Sequence, residues 1–270
     1  MSKTLIPCEE HGKIIKLYNS GLSQAKIGSI YNVGHYIIGD ILRKYNINGR
    51  DDSHKGRKYT INENYFDIID TPNKAYILGL LYADGCNYLP QHRVYIELQE
   101  ADKYILDKIN QEINSNKPLF FNPLNDKNSN WQNTYRLNIT NKHISIKLNE
   151  LGLVQNKSLI LMPPTWLDTG LIAHFIRGYM DGDGCVSEQF IEIASTKEMC
   201  LYIQKYCMDI LNINATIRNV YNNPESNTKL LFVNGKRQMK IFLDNIYQNA
   251  EMYIQRKYDK YIELYNLSVI

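Results

Sequence analysis

The sequence predicts an α+β protein built from two pseudo-symmetric halves and preceded by a small all-α unit. Three observations predict it. First, the motif Ile77-Leu78-Gly79-Leu80-Leu81-Tyr82-Ala83-Asp84-Gly85 recurs as Ile176-Arg177-Gly178-Tyr179-Met180-Asp181-Gly182-Asp183-Gly184. Second, stretches of helical and of alternating apolar period follow each copy in the same order. Third, matched points keep their spacing: Asp84 to Asp183 is 99 residues, Lys157 to Lys257 is 100 and Ile96 to Ile191 is 95. Self-similarity in one register is the mark of repeated supersecondary units.

Composition sets the bounds. The 270 residues are 44% hydrophobic and 22% charged, with 15 Gly and 8 Pro, enough for a sizeable core and unlike a disordered chain. No apolar run approaches the ~18 residues of a membrane span, and the N-terminus lacks the apolar stretch of a secretory signal, so a soluble, intracellular (cytoplasmic) protein is expected. A net charge of +3 is only mildly basic, and says less than the distribution of charge. The 21 Tyr, with abundant Asn, Ile and Lys, fit AT-rich codons without any function. The five cysteines form no C-x-x-C pair, so free thiols are expected, and Cys8-x-x-His11 is half of a zinc pattern with no second half.

Residues 1–48 read as a helical unit. Helix from Gly12 to Tyr18 breaks at Asn19-Ser20-Gly21; Ser23 N-caps a second helix through Tyr31; Asn32-Val33-Gly34 turns the chain into a third, His35 to Tyr45. Ile27, Tyr31, Val33, Ile38, Ile41 and Leu42 suit packing across a tight turn, Gly28 is small where helices touch, and Asn32 tolerates the left-handed conformation. This resembles a helix-turn-helix, whose second helix enters the major groove and would present His35 and Tyr36. An ordinary three-helix cap with no ligand has the same pattern. Residues 49–70 read as a basic linker, in which Lys55, Arg57 and Lys58 are candidates to lie along phosphates.

The first half is expected over 71–166. Pro72 opens a helix that runs to Asp84; a strand over Arg93–Gln99, a helix over Asp102–Ile113, strands near Leu119–Phe121 and Thr134–Thr140 and a helix over Lys142–Leu151 follow. The second half, 167–270, repeats this: a helix over Asp168–Asp183, a strand over Phe190–Ala194, a helix over Lys197–Leu211, strands near Thr216–Tyr221 and Lys229–Asn234, then helices over Lys236–Tyr247 and Met252–Leu264.

Gly79 and Ala83 lie one turn apart on one helix face, as do Gly178 and Gly182, and small side chains in such a row let two backbones approach closely. The two motif helices are therefore expected to pack together about a pseudo-two-fold axis, ending with Asp84 and Asp183 side by side. Gly85 and Gly184 stand where a left-handed glycine cap is usual. An Asp at a helix C-terminus opposes the dipole, at about 0.3–1 kcal/mol, and two such acids repel. Doing this twice points to a cation, and Mg²⁺ suits aspartate oxygens shared with phosphate. Asp-Gly is also a common turn pair, which explains one copy but not two on matched helices. An EF-hand over Asp181–Glu192 fails, because Val186 stands where that loop needs glycine.

On these motifs the chain resembles a single-chain, two-motif LAGLIDADG homing endonuclease carrying an N-terminal helix-turn-helix. The likeness covers about residues 56–265; the run His174-Phe175-Ile176-Arg177-Gly178 and the closing Gln-Arg-Lys-Tyr-Asp-Lys-Tyr of 255–261 are similar to that family's. Tyr82 replaces the first acidic position of motif one, and Gly182 replaces an alanine. The resemblance implies two αββαββα halves whose sheets form a DNA-binding β-saddle. It implies Mg²⁺, with Mn²⁺ able to substitute, held at Asp84 and Asp183 with Gly85 and Gly184 adjoining. Lys157 and Lys257 would order water or stabilise charge on the phosphate. Groove contacts would come from Arg93, Tyr95, Gln99, Arg136, Asn138 and Arg218, with Glu97 or Glu192 accepting from cytosine. Gln99 is also a candidate beside the acids, with Ala194 as its expected counterpart.

The implied protein is a monomer that cuts a long pseudo-palindromic duplex target. It shows no intein splicing signature, since the chain starts at Met and ends Ser-Val-Ile. An RNA maturase acting on intron RNA, and a non-cleaving DNA-binding regulator, would use the same scaffold.

Overall fold

The computed structural model describes residues 6–47, 58–123, 132–221, 223 and 225–265. Lys55 and Arg57 of the expected linker lie outside them. The chain divides after Lys58 into two units, each with its own core.

The first unit has three helices, α1 (Cys8–Asn19), α2 (Gln24–Ile30) and α3 (His35–Lys44). Ser23 caps α2 as expected, its hydroxyl accepting from the Lys26 N–H at 3.2 Å. Asn32 adopts φ 52°, the left-handed conformation the turn demands. A Cβ at Gly28 would fall 2.7 Å from the Val33 carbonyl oxygen, so glycine is required where α2 meets its own turn. Ile14, Ile27, Ile38, Ile41 and Leu42 are buried between the helices. His11 is a structural residue rather than half of a zinc site: its ring bonds the Ile6 carbonyl at 3.2 Å and stands edge-on to Tyr45, while Cys8 is exposed.

The second unit begins earlier than the expected end of the linker, because Tyr65, Phe66 and Ile69 are buried in its core. Its elements are α4 (Pro72–Asp84), β1 (Gly85–Tyr88), β2 (Arg93–Gln99), α5 (Lys103–Glu112), β3 (Phe120–Asn122), β4 (Thr134–Thr140) and α6 (Lys142–Glu150). They are followed by α7 (Ile172–Asp183), β5 (Gly184–Val186), β6 (Phe190–Thr196), α8 (Lys197–Asp209), β7 (Thr216–Asn219), β8 (Thr228–Asn234), α9 (Lys236–Tyr247) and α10 (Gln255–Tyr265). Thr71 caps α4, with Pro72 in its first turn. The expected helix over Asp168–Asp183 is a 3-10 turn, Thr169–Leu171, leading into α7.

The strands form two four-stranded antiparallel sheets of the same order, β1-β2-β4-β3 and β5-β6-β8-β7. Both sheets bury one face, with Val94, Ile96 and Leu98 inward in β2 and Ile191 and Ile193 in β6. The register corrects one marker. Gly85 pairs with Ile96 and Gly184 with Ile193, so the counterpart of Ile96 is Ile193, 97 residues on, and not Ile191. No helix among the described residues is long and apolar enough to cross a membrane.

Candidate active site at the ends of the paired helices

Helices α4 and α7 touch backbone to backbone. A Cβ at Gly79 would lie 2.1 Å from the Phe175 carbonyl oxygen, and one at Gly178 would lie 2.0 Å from that of Tyr76. One turn on, a Cβ at Gly182 would meet the Ala83 methyl at 2.3 Å, so the interface has room for one methyl, not two. That explains why alanine in one motif faces glycine in the other.

The packing places the two acids together, both exposed at the helix ends. The carboxylate of Asp84 lies 3.0 Å from where a Gly182 Cβ would be, at the end of the other motif helix. Surrounding protein, and then the charge of Asp183, push the Asp84 carboxyl up to about 6. Asp183 is raised by burial, with Lys157, the Tyr179 hydroxyl and Lys257 pulling it back.

Gly85 and Gly184 are not left-handed caps. Their φ, ψ values are −76°, 153° and −101°, 156°, and each helix passes directly into an extended strand. Glycine is needed there for space: a Cβ would fall 2.5 Å from the Leu81 carbonyl oxygen at Gly85, and 2.4 Å from Met180 Cγ at Gly184.

The lysines close the helix ends. Lys157 Nζ donates to the carbonyls of Ala83 and Gly85, both at 2.7 Å. Lys257 Nζ donates to those of Met180 at 2.6 Å, Asp181 at 2.7 Å and Gly184 at 2.6 Å. Ammonium groups thus bind carbonyls at the C-terminal end of each helix, the Met180 carbonyl accepting from the Gly184 N–H as well. The Gly85 and Gly184 carbonyls each accept from one of these ammonium groups. Burial lowers both lysine pKa values, and the neighbouring acids, chiefly Asp183 for Lys157 and Asp181 for Lys257, hold them up. Local structure differs between the two: Lys157 follows a left-handed Asn156 (φ 55°) into a 3-10 turn, whereas Lys257 leaves the first turn of α10.

The outward face of the first sheet gathers most of the expected groove residues. Arg93 lies over the rings of Tyr88 and Tyr95 at 5.9 and 5.8 Å. Asn138 pairs opposite Tyr95. Arg136 stacks on Tyr95 at 4.9 Å and binds Glu97 at 2.8 Å through Nε, and Glu97 also accepts from Asn122 and Thr134. Gln99, on the same face, donates through its amide to Asp102 at 2.8 Å. Its register counterpart is Thr196, the buried cap of α8; Ala194 corresponds to Glu97. The second sheet is less polar: Ala194 pairs with Leu230 where the first has Glu97 with Arg136, and Arg218 stacks on Phe232 at 4.8 Å. In the first unit, His35 and Tyr36 are exposed at the start of α3. Lys58 is exposed as well.

Asp181 and Arg177 were not singled out as functional residues. Both are buried, four apart on α7. The available signal was an i, i+4 acid–base pair on an otherwise apolar helix face.

Residues 170–247 match the sequence profile of the LAGLIDADG-like domain. Among solved structures, the homing endonuclease I-WcaI bound to its DNA recognition sequence superposes with a TM-score of 0.50 at 12% identity, covering 73% of this chain and 90% of that one. I-LtrWI, a LAGLIDADG homing endonuclease bound to target DNA, gives 0.48 at 12% identity, covering 76% and 91%. Full-length DUF199/WhiA from Thermatoga maritima gives 0.48 at 18% identity, covering 77% of this chain, which spans 66% of that protein's length. No curated protein matches in sequence. The fold is the LAGLIDADG fold: two helix-backed, four-stranded antiparallel sheets.

Proposed function

We propose that this chain is a site-specific endonuclease that hydrolyses both strands of a long pseudo-palindromic duplex DNA target. It acts as a monomer with one centre per strand, in an intracellular compartment. The observation that carries the reading is the pair Asp84 and Asp183, set together by reciprocal close packing of α4 and α7, each helix end held by a lysine. Two carboxylates held together against two helix dipoles are costly, which supports a cation bound between them.

The donor set fits Mg²⁺. Among the described residues no group of three or more His, Cys, Asp or Glu gathers into a closed cage, and Mg²⁺ typically takes one or two carboxylates, with phosphate and water completing its shell. Asp84 and Asp183 would hold it, with Mn²⁺ able to replace it, and when bound it would polarise the scissile phosphates and lower the pKa of attacking water. Lys157 and Lys257 hold the helix ends, and with them the acids, in place. Lys257 directs all three of its N–H groups to carbonyls, so its part is to fix the centre and supply a nearby positive field rather than to donate to phosphate. The outward sheet faces, with Arg93, Tyr95, Arg136, Asn138 and Arg218, would read the groove, and the N-terminal helices would lengthen the footprint as a helix-turn-helix.

The test is cleavage of a large randomised duplex pool with Mg²⁺ and with Ca²⁺, sequencing any ends. Defined ends with Mg²⁺ alone are expected. Selective binding without ends in either metal would establish a regulator instead, and preference for structured intron RNA over duplex would establish a maturase.

A further inference from the structure

Asp181 takes no part in that chemistry, yet it is 1% exposed and elaborately held. Its Oδ2 accepts from the Tyr76 hydroxyl at 2.7 Å and from the backbone N–H of Ile254 at 2.8 Å; its Oδ1 is buried without a partner among the described residues. Arg177, one turn earlier on α7, donates to the Met252 carbonyl at 2.9 Å and to that of Ile246 at 2.7 Å, and lies over the Tyr76 ring at 5.1 Å. All of these backbone contacts fall at the end of α9 or on the segment leading into α10. Ile254 immediately precedes α10, and the Lys257 N–H bonds the Ile254 carbonyl at 3.0 Å. Burying a charged pair is unfavourable unless it is well partnered, and apolar residues would fill the space more stably. What the pair supplies is location.

The first half answers at the same motif position. Tyr82 stands 99 residues before Asp181, and its hydroxyl donates to the Leu151 carbonyl, at the start of the loop that ends in Lys157. Gly152 (φ 109°) follows, where a Cβ would lie 2.2 Å from that hydroxyl. Asn87 adds a second hold on the loop, donating to the Leu153 carbonyl at 3.1 Å. The chemistry of each tether matches what its segment offers: a hydroxyl donor meets a carbonyl, and a carboxylate meets an N–H. The departure of Tyr82 from the acidic pattern is thereby explained.

We propose that Asp181, backed by Arg177, is the positioning residue that sets Lys257 for one catalytic centre, and that Tyr82 sets Lys157 for the other. The inference rests on the endonuclease reading.

The experiment uses a duplex recovered from the randomised pool by wild-type cleavage, with each strand labelled separately. Asp181→Leu is expected to slow one strand ~10–100-fold relative to the other and to accumulate nicked duplex, as sub-ångström misplacement of catalytic groups does. Asp181→Asn keeps the acceptor and should remain within ~3-fold of wild type. Tyr82→Phe, which removes one hydroxyl, should slow the opposite strand by a smaller ~3–10-fold, because Asn87 still holds the loop. Amide exchange at Ile254 should quicken in Asp181→Leu and not in Asp181→Asn. Equal slowing of both strands by either variant, or an Asn variant as impaired as Leu, overturns the assignment. Should Asp181→Leu not fold, Tyr82→Phe decides alone: a nick supports it, and balanced slowing defeats it. Wild-type protein that cuts no duplex defeats the endonuclease reading itself, and the assignment with it.

Discussion

Gly178 lies so close to Tyr76 that a Cβ would stand 2.0 Å from the Tyr76 carbonyl oxygen, and Gly79 stands in the reciprocal relation to Phe175 at 2.1 Å. The obstruction is backbone on both sides, so no rotamer change relieves it. Gly178→Ala should therefore destabilise the second unit by about 3 kcal/mol or more, at the upper end of overpacking. Gly12→Ala, on α1 with nothing within 4 Å, should instead stabilise the first unit by about 0.5–1 kcal/mol. Urea denaturation measures both, and a harmless Gly178→Ala would refute the close contact.

The paired acids carry the chemistry but not the affinity. Asp84→Asn and Asp183→Asn should each abolish double-strand cleavage while DNA binding changes by no more than about 1–2 kcal/mol, because phosphate contacts dominate affinity. Cleavage and equilibrium binding of one duplex check this together; normal cutting of both strands by either variant would show the site to be misplaced.

Lys257 serves three carbonyls and Lys157 two. With a net value of about 1.5–3 kcal/mol for a bond to a charged group, Lys257→Met should lose roughly that much more stability than Lys157→Met. Equal losses in chemical denaturation would mean that the extra carbonyl is satisfied by water.

The contribution of Asp181 and Asp84 to stability should fall as pH rises through the carboxylate range. Both are pushed up to about 6 from an ordinary value near 3.8. Between those values the native chain holds protons on these two groups that the unfolded chain has released, so their contribution declines from about pH 4 to about pH 6. Denaturation of metal-free protein at pH 4.5 and pH 7 measures the slope, which Asp181→Asn should reduce. Mg²⁺ should raise the pH 7 midpoint more than the pH 5 midpoint, since its ligands must be ionised.

Glu97 restrains Arg136 on the outward face of the first sheet. Glu97→Gln removes a carboxylate from that face and frees a guanidinium. Affinity for non-cognate duplex should rise, and the slope of log K against log salt should steepen by about one. An unchanged slope in a salt titration would place Arg136 away from DNA.

Much was legible in the sequence because it is local. Helix and strand periods, the Ser23 cap, the left-handed Asn32 and the motif repeat all follow from residues a few positions apart. The small-residue row anticipated the α4–α7 contact, and with it the meeting of Asp84 and Asp183. Strands β1 and β5 were missed as elements, being too short to show alternation. Ile96 was matched to Ile191 rather than Ile193 because a slip of two residues leaves every side chain on the same face, and only cross-strand pairing distinguishes them. The lysines on helix-end carbonyls and the tethers from Asp181 and Tyr82 were beyond sequence for one reason. Each joins a side chain to a backbone group roughly 70 residues away, and a backbone group looks the same in any sequence until the fold decides what it meets. Local residue patterns suffice for the two halves and the two acids, whereas long-range packing selects the groups that hold them.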